Sequence, residues 1–179
     1  MENCVLERIE EIKVFLEEKI EILLKNRLEK IEVLLKEEIE NGDCKLQEEL
    51  FRLAEGREEG AIVCAFFRSS YLTKSHKFLL AFYREEPFLE ENPACIWIDF
   101  HLFFQSADED FQRINREIEK KFIRVLSAEK EEIRRWYMEQ LYQEFGGVLF
   151  SLLGEEKEGI EVYYGGFMEE LYWVGKVKK

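Results

Sequence analysis

Asp99 and His101 stand two residues apart in a segment rich in Ile, Trp and Phe. If that segment is a strand, alternation puts the carboxylate and the imidazole on one face, together with Cys95 and Trp97. Cys64 and His76 lie in or beside two further strand-like segments. A Cys64, His101 and Asp99 set has the residue types of a nucleophile, a base and an orienting acid, and the same Cys and His side chains are common zinc ligands. The spacing argues against both chemistries. Zinc sites usually show close ligand pairs, whereas the intervals among Cys64, His76, Cys95 and His101 are long and irregular. Free cysteine is among the most buried residue types, so the expectation is core cysteines, with Asp99 satisfied by His101 or a nearby arginine at a sheet edge. Cys64, Asp99 and His101 are therefore the only catalytic candidates, and no metal or cofactor is expected.

Other chemistry-bearing patterns are fainter. Glu85-Glu86, Glu90-Glu91 and Glu155-Glu156 are neighbours in sequence, but a paired acid and base also needs a cleft and a shifted pKa, so these read as solvated loops. Gly146-Gly147 and Gly165-Gly166 lack the spacing of a phosphate-binding loop. Arg113, Arg116, Lys120 and Arg124 recur every three or four residues beside Lys121 and form a basic stripe. Glu117 and Glu119 interrupt it and no aromatic residues interleave, so the stripe is expected to face water or meet carboxylates rather than nucleic acid. Tyr163, Tyr164, Phe167, Tyr172 and Trp173 suit either a recognition surface or core, with alternation turning about half of them inward.

The elements that position these residues follow from periodicity. From Val5 to Ile39 there is no Gly or Pro, and apolar residues recur as Val5, Ile9, Ile12, Leu16, Ile20, Leu24, Leu28, Ile31, Leu35 and Ile39. That spacing predicts one long amphipathic helix, packed on several neighbours or broken near Lys25 to Arg27, where the register blurs. Asn41-Gly42-Asp43 should end it, with Asp43 capping a short helix whose inner face is Leu46, Leu50, Leu53 and Ala54. Ala61 to Phe67, Lys77 to Tyr83 and Ala94 to Phe104 read as a three-stranded antiparallel meander. Apolar residues on both alternating faces predict helices covering both sides of the sheet. Ser106 with Glu109 predicts a capping box, opening a helix with Phe111, Ile114, Ile118, Phe122 and Val125 on one face. A further helix capped by Ser127 should bury Ile133, Trp136, Tyr137, Leu141 and Phe145 and stop at Gly146-Gly147, making a helical pair. Val148 to Leu153 fits strand or helix. Gly165-Gly166 is placed as the two-residue turn of a C-terminal β-hairpin, Ile160 to Val174. The fold class is α+β, divided into a helical segment over 1–58 and an α+β body over 59–179.

Composition bounds the function. With 46% apolar and 14% aromatic residues the chain can build a sizeable core. The formal charge is −13, and residues 1–60 hold 18 acidic against 10 basic side chains. Such a surface repels nucleic acid and anionic membranes and steers in a basic partner. The first residues lack a signal-peptide pattern, no apolar run approaches a bilayer span, and the four cysteines are too scattered for a disulfide framework, so a cytoplasmic location is expected. The expectation is a non-catalytic protein-interaction or regulatory module, self-associating as a homodimer through its first helix. The alternatives are an acidic inhibitor or immunity-type protein that neutralises a basic partner, and a small hydrolase or metal enzyme using Cys64, Asp99 and His101.

Overall fold

The computed structural model describes residues 2–154 and 158–178, with side chains from Glu7 onward. The first helix, α1, runs unbroken from Glu2 to Asn41. Ile9, Ile12, Leu16, Ile20, Leu24, Ile31 and Leu35 are buried in one core with the strands and later helices, so the stripe is used within the chain. Val5 lies outside the described side chains. The blurred register near Lys25 is not a break, because the inward position between Leu24 and Ile31 belongs to Arg27, which is 5% exposed, while Leu28 is only half-buried. Gly42, with φ of 75°, ends α1, and the Asp43 N–H donates to the Glu38 carbonyl. Asp43 does not cap the next helix: α2, Lys45–Ala54, begins after Cys44 without a side-chain cap, and it buries Leu46, Leu50, Leu53 and Ala54 as expected.

The chain is α+β, built on a mixed five-stranded sheet. Strands β1 (Ala61–Phe66), β2 (Lys77–Tyr83) and β3 (Ala94–Asp99) form the expected antiparallel meander. The hairpin strands β4 (Ile160–Gly166) and β5 (Leu171–Val177) extend the same sheet, β4 lying parallel to β1. The order is β3-β2-β1-β4-β5. A five-residue helix, α3 (Arg68–Leu72), links β1 to β2. β3 is shorter than the sequence suggests. The Asp99 carboxylate accepts the His101 backbone N–H at 2.8 Å, and a one-turn helix, α4 (His101–Phe104), follows with Phe103 and Phe104 buried.

The last two helices are α5 (Ala107–Lys121) and α6 (Ser127–Leu153). Their expected hydroxyl caps are replaced. Ser106 makes no cap, its hydroxyl instead accepting a hydrogen bond from Arg27, and the Leu126 N–H at the start of α6 is held by the Glu129 carboxylate at 2.7 Å. α6 runs through Gly146-Gly147, which makes Val148 to Leu153 helical. A Cβ at Gly146 would fall 2.8 Å from the Tyr164 ring, so this glycine permits close packing of helix on sheet rather than stopping the helix. Gly165 and Gly166 likewise sit inside β4, and the hairpin turns through Phe167 to Glu170.

Helices cover one face of the sheet only. Ile62, Cys64, Phe66, Phe78, Leu80, Phe82, Val162 and Tyr164 join residues of α1, α2, α5 and α6 in the main core. On the opposite face Val63, Ala65, Ala81 and Tyr83 form a separate cluster with Leu79, Phe88, Tyr163, Phe167 and Leu171, without a helical residue. Two-sided helical cover, expected from the strand composition, is thus corrected. Aromatic side chains from loops substitute for it, with Phe67 stacked on Phe167 at 4.6 Å and Phe88 edge-on to Phe167 at 5.2 Å. Among the described residues no helix is long and apolar enough to cross a membrane.

Candidate functional site

Cys64, Asp99 and His101 are not brought together. Cys64 lies on the helix-covered face of β1, is 1% exposed, and burial pushes its thiol well above the ordinary range. Asp99 ends β3 on the alternate register from the buried Ile98, and its carboxylate is engaged with the His101 backbone rather than the imidazole. His101 is exposed on α4 and does not share a strand face with Asp99. Cys44 is buried, Cys95 is exposed at the opposite face, and Cys4 lies outside the described side chains. Among the described residues no three His, Cys, Asp or Glu side chains are grouped to hold a metal.

His76 is the one imidazole in a built environment. With φ of 47° it precedes β2, buried, stacked on Phe104 at 5.7 Å, with Nδ1 2.7 Å from the Tyr142 hydroxyl. Burial, then the nearby charges of His101 and Arg134, pull its pKa down to about 4. A neutral, enclosed imidazole bonded to a tyrosine is a core group.

The basic stripe is solvent-facing. Arg113, Arg116, Lys120, Lys121 and Arg124 are exposed, and α5 ends at Lys121, so Arg124 belongs to the following turn. Lys120 pairs with Glu117 of its own helix, while the Lys121 ammonium lies 4.1 Å from the centre of the Phe15 ring. Contacts between α1 and the helical pair run in the opposite sense to a basic stripe docked on an acidic helix. Cations of α1 reach carboxylates beyond it: Arg8 to Glu129 at 3.1 Å, Lys19 to Glu117, and Arg27 to Asp110 at 2.6 Å. Of the acidic loop pairs, Glu90 accepts the Arg84 backbone N–H at 2.8 Å, and Glu155-Glu156 lies outside the described residues.

One concave feature lies between α6 and the β4–β5 hairpin; a larger, shallower one of about 840 Å³ lies between α1 and the end of α5, where Lys121 stands among Glu7, Glu10 and Glu11. The first is a groove of about 540 Å³. Tyr164 forms its floor, held by a hydroxyl that donates to the Tyr142 carbonyl and by packing beneath Gly146. Gln143 and Glu144 of α6 make one wall, and Glu169, Glu170 and Tyr172 of the hairpin make the other. Gly165 and Gly166 let the turn fold back closely, since a Cβ at Gly166 would fall 2.2 Å from the Glu169 carboxylate. A second hollow of about 250 Å³ shares Gln143, Tyr164 and Tyr172 and continues past Gly147 to Phe150 and Trp173, whose rings meet edge to face at 6.0 Å.

This groove is acidic. Glu144, Glu169 and Glu170 line it, and among the described residues no lysine or arginine does. Partial desolvation against the groove, reinforced by the charge of Glu21 on α1, raises the Glu144 pKa, although its side chain still reaches solvent. Arg68 stands beside the groove, with Nε 3.1 Å from Glu169 and Nη2 3.8 Å from Glu139. The hairpin aromatics expected to divide between core and surface do so: Tyr164 is buried, Tyr163 and Phe167 are half-buried, and Tyr172 and Trp173 are exposed. Periodicity carried no signal for the carboxylates that join them, because Glu144 comes from another element.

No protein-family model, curated protein or solved structure matches the chain.

Proposed function

We propose that the protein is a non-catalytic interaction module whose groove between α6 and the β4–β5 hairpin binds a basic segment of a partner protein. The observation that carries this reading is the lining: three carboxylates and the exposed Tyr172 ring around one concavity, with no lysine or arginine among the described residues that line it. Apolar rings supply desolvated contact area and the carboxylates supply sign selectivity. An acidic neutraliser of a basic protein would use the same surface. Self-association through the α1 stripe would first have to unmake its packing in the core, so the groove replaces that helix as the proposed interface. Dispersal of Cys64, Asp99 and His101 over separate environments supports a non-catalytic role over a hydrolase.

The test is fluorescence anisotropy of a labelled ten-residue peptide of Lys, Arg and Gly, against an acidic peptide of equal length. The basic peptide should bind, with affinity falling as salt rises. Changing Tyr172→Ala and Glu170→Gln together should weaken it by about tenfold, the scale of one lost aromatic contact and one charge. Equal binding by the double variant would remove the groove from the function.

A further inference from the structure

We propose that the groove accepts the guanidinium of a partner's arginine side chain, and that Arg68 is a resident competitor for its hairpin wall. This rests on the groove being the partner-binding surface. Two observations point to a guanidinium rather than any cation. Tyr172, whose ring is exposed, stands beside Glu169 and Glu170, and a planar guanidinium stacks on a ring while its fork of N–H donors meets a carboxylate. A lysine ammonium, compact and strongly hydrated, uses only the charge. The chain already pairs Glu169 with a guanidinium, Arg68 Nε lying 3.1 Å from its carboxylate. That contact is replaceable: the Arg68 side chain is 66% exposed and the Glu169 side chain 40%, and ion pairs of this kind contribute little in water. An incoming guanidinium that also covers Tyr172 gains the ring contact besides, so exchange with Arg68 is favourable once the rest of the partner is docked.

The competition gives an unusual signature, in which removing a cation outside the groove strengthens cation binding. The probe is the tripeptide acetyl-Gly-Arg-Gly-amide, titrated into the ¹⁵N-labelled protein and followed at the Gly165 and Gly166 amides and the Trp173 indole. Its lysine and citrulline counterparts are the controls. Saturable shifts at those three positions are expected for arginine, weaker ones for lysine and none for citrulline. Arg68→Ala should tighten arginine binding about threefold, within the range of one exposed ion pair, and Glu169→Gln should weaken it comparably. Arg113→Ala, which removes the same charge from an exposed site on α5, should leave it unchanged. Equal tightening by Arg113→Ala would reduce the effect to net charge, and equal affinity for lysine would remove the guanidinium; either result overturns the proposal. If no tripeptide binds but decalysine still shifts the groove amides, the arginine assignment fails while the binding groove stands. If neither binds, both fail.

Discussion

Alanine at the two adjacent glycines of α6 should change stability in opposite directions. In a helix interior Gly→Ala is worth about 1 kcal/mol in favour of alanine, through lost unfolded-state freedom and a better-shielded backbone. Gly147 is exposed and a Cβ there meets nothing within 4 Å, so Gly147→Ala should keep that gain. At Gly146 the same methyl falls 2.8 Å from Cδ1 and 3.4 Å from Cε1 of Tyr164. Carbon atoms settle at about 3.5 to 4.0 Å, so the closest pair must part by roughly an ångström. The ring cannot yield easily. It is 1% exposed, its hydroxyl is held on the Tyr142 carbonyl, and Phe66 and Phe145 pack on it with centroids 5.6 and 5.8 Å away.

Overpacking of this kind costs about 1 to 3 kcal/mol, which cancels or exceeds the propensity gain. The two variants should therefore differ by about 1 to 3 kcal/mol, or several degrees in Tm for a chain of this size. Urea denaturation followed by circular dichroism at neutral pH measures the difference. If Gly146→Ala proves as stable as Gly147→Ala, the close approach of α6 to β4 is wrong, and with it the floor of the groove. Trimming Tyr164 to Leu in the Gly146→Ala background should remove most of the steric cost specific to alanine, separating a clash from a backbone effect.

Arg27→Met should destabilise the fold by about 3 to 5 kcal/mol, because it leaves Asp110 buried without its cation. Combining it with Asp110→Leu and Tyr137→Phe should recover most of that loss, since the Tyr137 hydroxyl donates to the same carboxylate at 2.7 Å; equal destabilisation of single and triple variants would refute the network. His76 falls from an ordinary value of 6.5 to about 4, so between those pH values the unfolded chain binds the extra proton and stability drops as pH falls. The loss should total about 2 to 3 kcal/mol, and it should be absent in His76→Gln when denaturation midpoints are compared between pH 7 and 4; removing His101 or Arg134, whose charges help lower the pKa, should shrink it, while removing Asp108 or Asp99 should enlarge it. Asp99→Ala should cost about 1 kcal/mol through loss of the acceptor for the His101 N–H, while Asp99→Asn, which keeps an acceptor oxygen, should cost less when measured by the same denaturation.

Local patterns were readable where one element meets the core along a continuous apolar face. Ile9 to Leu35 in α1 and Leu46 to Ala54 in α2 declare such faces, and Gly42 declares a left-handed stop. What misleads is a residue whose local chemistry is claimed by a distant partner. Ser106 has the form of a cap, yet its hydroxyl goes to Arg27, far away in sequence. Arg27 looks like a solvent residue that spoils the register, although Asp110 makes it an inward one. Gly146-Gly147 has the form of a helix end because glycine is costly within helices, but its reason is Tyr164. The parallel pairing of β4 with β1, and the gathering of all helices on one face, are long-range outcomes that no window of the sequence contains. For the same reason the aromatic half of the groove could be recognised in the hairpin, while its acidic wall on α6 could not.

Docking of α1 also shapes where the acidic charge of the chain is left outward. Arg8, Lys19 and Arg27 turn toward Glu129, Glu117 and Asp110, so three cations of the helix are engaged by carboxylates of α5 and α6. Lys19 and Lys120 together hold the Glu117 pKa down to about 2, which shows how fully that carboxylate is matched. Glu7, Glu10, Glu11, Glu17, Glu18 and Glu21 remain exposed along the same helix. Of these, Glu21 acts on Glu144 and so extends the negative potential to the wall of the groove. A polyanion approaching α1 meets this field before it can reach the exposed arginines of α5, and screening decays over about 10 Å at moderate salt. A cationic segment experiences attraction along the helix and toward the acidic groove beside α6. Fold and charge distribution thus support the same proposed partner: three cations of α1 are turned against the body, Glu7, Glu11, Glu17, Glu18 and Glu21 face outward, and the groove exposes the Tyr172 ring beside its carboxylates.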